Sequence, residues 1–234
     1  MKKLTELRAD IKEKSIPETL QIIANAFPGK LIFTTSFGIE DQVLTHFIFT
    51  HNIPVRVVTI DTGRMFEETY KVFNRTRDRY DREIEVFFPK HEAVENLLST
   101  KGPYSFYESI ENRKECCNIR KVEPLKRALK NMECWITGIR RDQNQNRTEM
   151  EMLEWDEGYS LYKINPLIDW TLEDVELFLK KENIPYNSLH DKGFVSIGCE
   201  PCTRAIKPGE YFRAGRWWWE NNSKKECGLH THGK

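Results

Sequence analysis

The sequence lacks an excess of charge of either sign. Its 234 residues include 36 Lys and Arg against 36 Asp and Glu, so the formal net charge at pH 7 is zero. Without a net positive field, the chain has no general attraction for nucleic acid or for an anionic membrane surface. We therefore expect no nucleic-acid partner, and any site for a small anion must be built locally.

Long apolar runs and internal repeats are also missing. The first residues, MKKLTELRADIKEK, are charged throughout, and no segment approaches the ~20 apolar residues that span a membrane. The hydrophobic content of 39% is ordinary for a globular protein. These features predict one main domain in the cytoplasm, with no membrane partner.

Short apolar runs alternate with stretches of helical periodicity between residues 30 and 140. In DQVLTHFIFTH, for example, Val43, Leu44 and Ile48 fall on one helical face. Strands that alternate with helices predict an α/β fold, in which a mostly parallel sheet is flanked by helices. The predicted strands are LIFTTS (31–36), VRVVTID (55–61), a segment around 83–88 and CWITG (134–138).

The carboxyl ends of these strands form the candidate site. Ligands of parallel sheets bind there, which places Ser36, Asp61 and Gly138 along one rim. Ser36 and Gly38 also lie in a turn between a strand and a helix, where backbone amides and the helix dipole can bind phosphate.

The pattern changes in the last third of the chain. Two short extended segments, TEMEMLEWD and YSLYKINPL, precede a helix that Thr171 opens with Asp174 three positions on. Residues 196–216 are rich in Gly and Pro, which predicts an irregular backbone that needs a ligand to order it.

Four of the six cysteines form two groups, the adjacent Cys116 and Cys117 and the CxxC of Cys199 and Cys202. Without an export signal, such thiols favour metal ligation or catalysis over disulfides. Four thiolates can hold zinc or an iron-sulfur cluster, and adjacent cysteines favour the cluster, which offers each thiolate its own iron. Buried or vicinally disulfide-bonded thiols are the remaining interpretation. Cys134 opens an apolar strand and is predicted to be a core residue.

Cys227 lies in the segment KKECGLH. A nucleophilic cysteine must be a thiolate, and Lys224, Lys225 and His230 favour that charged form. Glu226 opposes it. Cys227 is therefore a candidate nucleophile, and an incidental thiol near the end of the sequence is the alternative.

Basic residues occur near the predicted strand ends and near the cysteine pairs. Guanidinium groups bind sulfate-like and phosphate-like oxyanions in bidentate fashion, so the set predicts a site for a small polyanion. For any single member a solvated surface is the better interpretation, and the positions of the set near the strand ends and the cysteine loop weaken it. The set consists of Lys121, Arg140, Arg141, Arg147, Arg213 and Arg216.

These segments together resemble the sulfonucleotide reductases, specifically the iron-sulfur adenylyl sulfate reductases of assimilatory sulfate reduction. The resemblance runs in family order from about residue 30 to 230. The paired CC, the CxxC and the terminal ECGLH are its most specific parts. The matching segments are TTSFGIEDQ, IDTGRMFEETY, CCNIRKVEPLKRAL, WITGIRRDQNQNR, IPYNSLH, IGCEPCTRAIKPGE, GRWWWE and KECGLH.

The resemblance implies a fold like that of the adenine nucleotide alpha hydrolases, which include the ATP pyrophosphatases. It implies one sulfonucleotide reductase domain over residues 1–234, with a nucleotide-binding core over about 28–195 and a cluster loop and catalytic tail over 196–234. The resemblance implies that a four-iron, four-sulfur (4Fe-4S) cluster is bound by Cys116, Cys117, Cys199 and Cys202, and that the nucleophile is Cys227. The residues implied to surround the sulfate and phosphates are Lys121, Arg147, Arg213, Arg216 and His230. The implied phosphate-binding loop contains Ser36 and Gly38, and the implied nucleotide-contacting segment contains Asp61, Thr62 and Gly63.

The implied activity is thioredoxin-dependent reduction of adenosine 5'-phosphosulfate to sulfite and AMP. Cys227 would attack the sulfate sulfur, and thioredoxin or a similar dithiol would release sulfite from the resulting S-sulfocysteine. The same reaction on 3'-phosphoadenosine 5'-phosphosulfate is the nearest alternative. A tail that closes over bound substrate would slow proteolysis near residue 222.

Two further alternatives belong to other functional classes. A tRNA-thiolating ATP pyrophosphatase would carry a Ser-Gly-Gly-x-Asp-Ser loop, but Phe37 stands at its first Gly and Asp41 at its last Ser. The extra carboxylate would repel a triphosphate, and the zero net charge argues against RNA binding. A non-catalytic binding module whose fold is stabilised by zinc would contain zinc after purification, and replacing Cys227 would affect only the tail.

Overall fold

A computed structural model of the protein describes residues 2–143, 147 and 149–220. The helices in these residues are α1 (Lys2–Asp10), α2 (Ile16–Ala26), α3 (Ile39–Thr50), α4 (Glu67–Tyr80), α5 (His91–Lys101), α6 (Ile110–Cys117), α7 (Glu123–Leu129) and α8 (Leu172–Lys181). The strands are β1 (Leu31–Thr35), β2 (Arg56–Ile60), β3 (Glu85–Phe87), β4 (Cys134–Ile136), β5 (Leu153–Asp156) and β6 (Leu161–Ile164).

The strands of the described residues form one sheet in the order β3-β2-β1-β4-β6-β5. β1 pairs in parallel with β2 on one side and with β4 on the other, and the pairs β2–β3 and β4–β6 are also parallel. β5 pairs with β6 in antiparallel orientation at one edge. The predicted α/β fold with a mostly parallel sheet is confirmed. Because the strand order reverses beside β1, its carboxyl end is the switch point at which such sheets bind ligands.

Two helices, α1 and α2, precede β1, and the sequence pattern did not predict them. α2 begins at a capping box, in which the Glu18 carboxylate accepts the Ser15 backbone N–H at 2.9 Å and the Ser15 hydroxyl at 2.6 Å. Leu20 and Ile23 of α2 are fully buried in the main core, together with Ile136 of β4. Packing of this apolar face against the sheet, more than the cap, stabilises the helix.

The helix predicted to open at Thr171 is α8. The Thr171 hydroxyl accepts the N–H of Asp174 at 3.1 Å, and the Asp174 carboxylate accepts the N–H of Thr171 at 2.8 Å. Val175 and Leu179 bury the apolar face of the helix. Of the described helices, none combines the length and the apolar character needed to cross a bilayer.

α6 and α7 are joined without a break by a π-helical turn, Asn118–Val122, which the sequence analysis did not predict. The N–H of Glu123 bonds to the carbonyl of Asn118, five residues back. Pro124 explains this wider turn, because proline has no N–H and its ring would clash with the carbonyl of Arg120 in a regular α-helix. The turn lies directly after the adjacent cysteines.

Irregular backbone was predicted for residues 196–216 and is confirmed. The segment contains a short helical turn, Glu200–Cys202, and an isolated β-bridge between Thr203 and Arg216. Backbone hydrogen bonds connect it to its surroundings, for example from the N–H of Trp217 to the carbonyl of Cys202 at 3.1 Å. These bonds order a segment that has little regular secondary structure.

Candidate functional site

A cavity of about 240 Å³ opens at the carboxyl ends of β1, β2 and β4. Ser36 follows β1, Thr62 follows β2 and Gly138 follows β4, and all three line the cavity. The π-helical turn and the irregular C-terminal segment complete its wall. The rim predicted from the sequence therefore borders a cavity at the switch point of the sheet.

The turn between β1 and α3 has the backbone shape of a glycine-rich loop. Phe37 adopts a φ of 59°, in the left-handed region that glycine usually occupies. Its ring is buried and stacks on Phe73 with 4.8 Å between the ring centroids, so side-chain packing compensates for the backbone strain. Ser36 and Gly38 line the cavity, and Gly38 caps the N-terminus of α3, which attracts anions.

The carboxylate of Asp41 fills part of this turn. It accepts hydrogen bonds from the Ser36 N–H at 2.6 Å and from the Ser36 hydroxyl at 2.7 Å. Burial raises the pKa of Asp41 to about 6, against the opposing effects of Ser36 and of the Lys121 ammonium. Position 138 requires glycine here, because a Cβ would lie 2.3 Å from Asp41 Oδ1.

Asp61, Thr62 and Gly63 form the turn after β2. The Asp61 carboxylate accepts the N–H of Gly63 at 2.8 Å and the hydroxyl of Tyr70 at 3.1 Å, which fixes the turn. Thr62 lines the cavity, whereas Asp61 and Gly63 are not among the lining residues. The Thr62 hydroxyl accepts the Cys199 thiol at 3.2 Å, so this turn contacts the cysteine loop directly.

Cys116, Cys117, Cys199 and Cys202 all line the cavity. Burial raises the pKa of the Cys202 thiol, and the three neighbouring cysteine sulfur atoms raise it further. The two pairs, distant in sequence, are therefore close enough for their charges to interact, and ionising them together requires nearby positive charge. Among the described residues, no group of three or more His, Cys, Asp or Glu side chains is arranged to hold a single metal ion.

Basic side chains surround this group of cysteines. Seven of them line the cavity in the described part of the chain, against two acidic side chains. In a protein of zero net charge, this concentration creates a local positive field that suits a small polyanion. The seven are Arg64, Arg113, Arg120, Lys121, Arg147, Arg213 and Arg216.

Arg216 is held tightly against Gly198, one residue before the CxxC. A Cβ at position 198 would lie 2.1 Å from Arg216 Nη2, so only glycine leaves room for the guanidinium. The guanidinium also lies 5.2 Å from the centroid of the Trp217 ring. Its Nε is buried and has no hydrogen-bond partner within the described residues. A buried donor without a partner in a cavity wall is consistent with an anionic ligand or cofactor.

Three of the arginine side chains pack near the Trp217 ring. The guanidinium groups of Arg113 and Arg213 lie 4.6 Å and 5.8 Å from the centroid of its ring. Arg113 is also bonded to the Glu220 carboxylate at 2.8 Å and 3.1 Å, so its charge is compensated within the protein. Arg113 therefore helps to position the wall, and Arg216, whose buried Nε has no hydrogen-bond partner among the described residues, is better placed to meet a ligand.

The basic residues after β4 have different surroundings. Arg147 lines the cavity, as predicted, and donates a hydrogen bond to Gln143. Arg140 is buried and bonds to Glu40 at 2.9 Å, and Arg141 bonds to Asp169 at 2.8 Å. Of the three, only Arg147 is in the cavity wall.

Cys227 and His230 lie outside the described residues, as does position 222, where proteolysis was predicted to respond to substrate. Cys134 is fully buried in β4, which confirms it as a core residue. Burial raises the pKa of its thiol and keeps it protonated.

Comparisons with known proteins bear directly on this site. The family described as "Phosphoadenosine phosphosulfate reductase domain" matches residues 30–205. An adenosine 5'-phosphosulfate reductase from Agrobacterium fabrum is 51% identical over 205 residues, which cover 88% of this chain and 79% of that protein. A crystal structure of phosphoadenylyl-sulfate (PAPS) reductase from Candida auris has a TM-score of 0.75 at 29% identity, and covers 88% of this chain and 97% of its own.

A more distant match supports the fold alone. FMN adenylyltransferase from Candida glabrata has a TM-score of 0.55 at 16% identity, and covers 97% of this chain and 83% of its own. That protein shares the architecture described above, an α/β fold with a mostly parallel sheet.

Proposed function

The chain belongs to the phosphoadenosine phosphosulfate reductase domain family, and we propose that it reduces adenosine 5'-phosphosulfate to sulfite and AMP in assimilatory sulfate reduction. The reaction uses Cys227 as nucleophile, a 4Fe-4S cluster on the four cavity cysteines, and thioredoxin or a similar dithiol as reductant. We place it in the cytoplasm.

The observation that carries this proposal is that thiols and basic side chains line the same cavity. Four thiols and seven basic side chains share its wall, at the edge of the sheet where nucleotides bind in folds of this kind. The substrate is a nucleotide with adjacent phosphate and sulfate groups, so its anionic end needs several cations. Its adenosine end fits the apolar parts of the same cavity.

The first step transfers the sulfonate group. The Cys227 thiolate attacks the sulfur of the substrate, a sulfur–sulfur bond forms, the bond from that sulfur to the bridging oxygen breaks, and AMP leaves. Lys121, Arg213 and Arg216 disperse the charge on the sulfonate and phosphate oxygens, which lowers the repulsion between the thiolate and its target. Arg147 and the Ser36 turn bind the remainder of the anionic end.

The four cysteines fit the cluster on the chemistry of their donor atoms. Soft thiolates are the ligands of iron-sulfur clusters. Burial, together with the three neighbouring thiols, raises the pKa of Cys202, which shows that the two pairs lie close together. The buried Nε atoms of Arg120 and Arg216 have no hydrogen-bond partner in the described chain and lie in the same wall. When bound, the cluster would help to orient and polarise the sulfonate end of the substrate, with the positive charge supplied by Lys121 and the neighbouring arginines.

Labelling of the protein tests this proposal. Protein purified without oxygen is incubated with adenosine 5'-phosphosulfate that carries radiosulfur, in the absence of thioredoxin, beside a Cys227→Ser variant. We expect label on the wild-type protein alone, and its release as sulfite when thioredoxin is added. The variant retains five other cysteines and so controls for nonspecific labelling.

Two outcomes would contradict the proposal. Equal labelling of both proteins would exclude Cys227 as the nucleophile. If neither protein takes label, the 3'-phosphorylated substrate is tested in the same way, and label from that compound alone would reassign the substrate while retaining the chemistry.

A further inference from the structure

A group of five aromatic side chains, three of them exposed, lies beside the cavity. We call it the aromatic surface, and it consists of Tyr104, Phe106, Tyr107, Trp218 and Trp219. Tyr104 is 63% exposed, Tyr107 38% and Trp218 48%. Large exposed aromatic side chains are costly in water, and a cluster of them marks an interaction surface.

The aromatic surface is continuous. Tyr107 lies at its centre, 4.4 Å from Trp219, 6.5 Å from Trp218 and 6.2 Å from Tyr104, measured between ring centroids. Trp218 and Trp219 are in edge contact at 5.7 Å. Two segments that are distant in sequence therefore form one face.

This face borders the candidate site. Phe106 lines the cavity and lies beneath the Arg64 guanidinium at 5.0 Å. The Tyr107 hydroxyl donates a hydrogen bond to the carbonyl of Pro201, between the two cysteines of the CxxC, at 2.6 Å. A protein that docks on the aromatic surface thus comes to the mouth of the cavity.

The position of Cys227 limits where a reductant can act. Glu220 follows the aromatic surface directly, and Cys227 is seven positions further on (227 minus 220). Seven extended residues reach at most about 25 Å. Any protein that attacks the sulfur of Cys227 must therefore approach within about that distance of Glu220, and the aromatic surface lies within this range.

We propose that the aromatic surface docks the dithiol protein that releases sulfite from Cys227. This inference rests on the proposed function. One thiolate of the partner attacks Cys227 Sγ, a disulfide forms between the proteins, and sulfite leaves. The second partner thiolate then attacks the first partner sulfur, Cys227 is released as a thiol, and the partner dithiol becomes a disulfide.

The uncharged character of the surface suits this partner. The neighbouring cavity is rich in cations that bind the substrate. A partner that recognises aromatic rings does not compete with the anionic substrate for those cations, and it can dissociate after each turnover.

Separate measurement of the two half-reactions tests the proposal. Protein labelled with radiosulfur from adenosine 5'-phosphosulfate is isolated, and release of sulfite is followed with thioredoxin or with dithiothreitol. We expect Trp218→Ser to take label at the wild-type rate but to need at least tenfold more thioredoxin for half-maximal release, as for the loss of an interface hot spot. Release by dithiothreitol is expected to be unchanged, because a small dithiol needs no docking surface.

Trp155→Ser is the matched control. Trp155 is 40% exposed, similar to Trp218, but it lies on the edge strand β5. We expect it to behave as wild type in every assay. Tyr104→Ser is a second test variant in the same assays, and its result decides the test if Trp218→Ser takes label slowly.

Three results would overturn the proposal. Thioredoxin-driven release at the wild-type rate from both test variants would place docking elsewhere. A wild-type dimer that Trp218→Ser converts to a monomer would assign the surface to self-association. Failure of wild-type protein to take label from either sulfonucleotide would overturn the proposed function, and this inference with it.

Discussion

Asp41 is a buried carboxylate in the wall of a cavity whose charged lining residues are mostly basic. Its hydrogen bonds to Ser36 favour the charged form, yet burial outweighs them and raises its pKa to about 6 from an ordinary value of 3.8. Between these two pH values the folded protein retains a proton that the unfolded chain has released. Folding stability must therefore fall as the pH rises from about 4 to 6.

Asp41→Asn is expected to remove this pH dependence. The difference between a pKa of about 6 and one of 3.8 corresponds to roughly 3 kcal/mol in the free energy of unfolding. The stability of the variant relative to wild type should increase by about that amount between roughly pH 3 and pH 7, with about two thirds of the change between pH 4 and pH 6, and remain constant above. Denaturant unfolding of both proteins across this range measures it. A difference that does not change with pH would show that Asp41 titrates normally.

The helical stretch from α6 through α7 shows how one element positions several functional groups. It carries the adjacent cysteines on α6 and Arg120 and Lys121 on the π-helical turn. Arg120 donates to the carbonyl of Thr62 at 2.7 Å, which ties the turn to the end of β2. Because a π-turn holds one extra residue, it rotates the helix before it relative to the helix after it by about 100° compared with a regular α-helix.

Pro124→Ala tests whether this rotation matters. Alanine restores the missing N–H and permits a regular α-helix, which would turn Lys121 away from the cavity relative to the cysteines. We expect the KM for adenosine 5'-phosphosulfate to rise about tenfold, as for the loss of one charge-assisted hydrogen bond. The melting temperature should stay equal or rise, because alanine is the better helix former. Pro208→Ala, in an exposed turn, is the control, and an unchanged KM would separate the π-turn from substrate binding.

The helical stretch from α6 through α7 also shows which features could be predicted from the sequence and which could not. The strands and their rim were predictable, because β-branched apolar runs and their spacing determine a parallel sheet. Cysteine identity and spacing indicated the two pairs. Arg113 and Arg120 were not predicted to line the cavity, because their directions depend on the π-turn and on the Trp217 ring, which are tertiary features. Pro124 within a helical pattern was the available signal.

At the scale of the whole molecule, the cavity joins two parts of the chain. The ends of β1, β2 and β4 supply one wall, and residues from the irregular C-terminal segment supply the other. Glu200 N–H bonds to the carbonyl of Arg64 at 2.8 Å, which links them through backbone. A ligand in this cavity contacts both parts at once, so its binding free energy stabilises their common folded state. We therefore expect the two parts to unfold together as one domain.

Thermal unfolding with AMP tests that prediction. At a hundredfold excess over its Kd, a ligand that binds only the folded state adds about 2.7 kcal/mol. For a chain of this length, that amount raises the melting temperature by roughly 5 to 10 °C. We expect a single unfolding transition whose melting temperature AMP raises. Adenosine, which lacks the phosphate, should raise it less. High salt should reduce the effect of AMP, because screening weakens the attraction between the phosphate and the seven basic side chains. Two transitions of which AMP shifts only one would show that the C-terminal segment unfolds separately from the core, and the prediction of one domain would then be wrong.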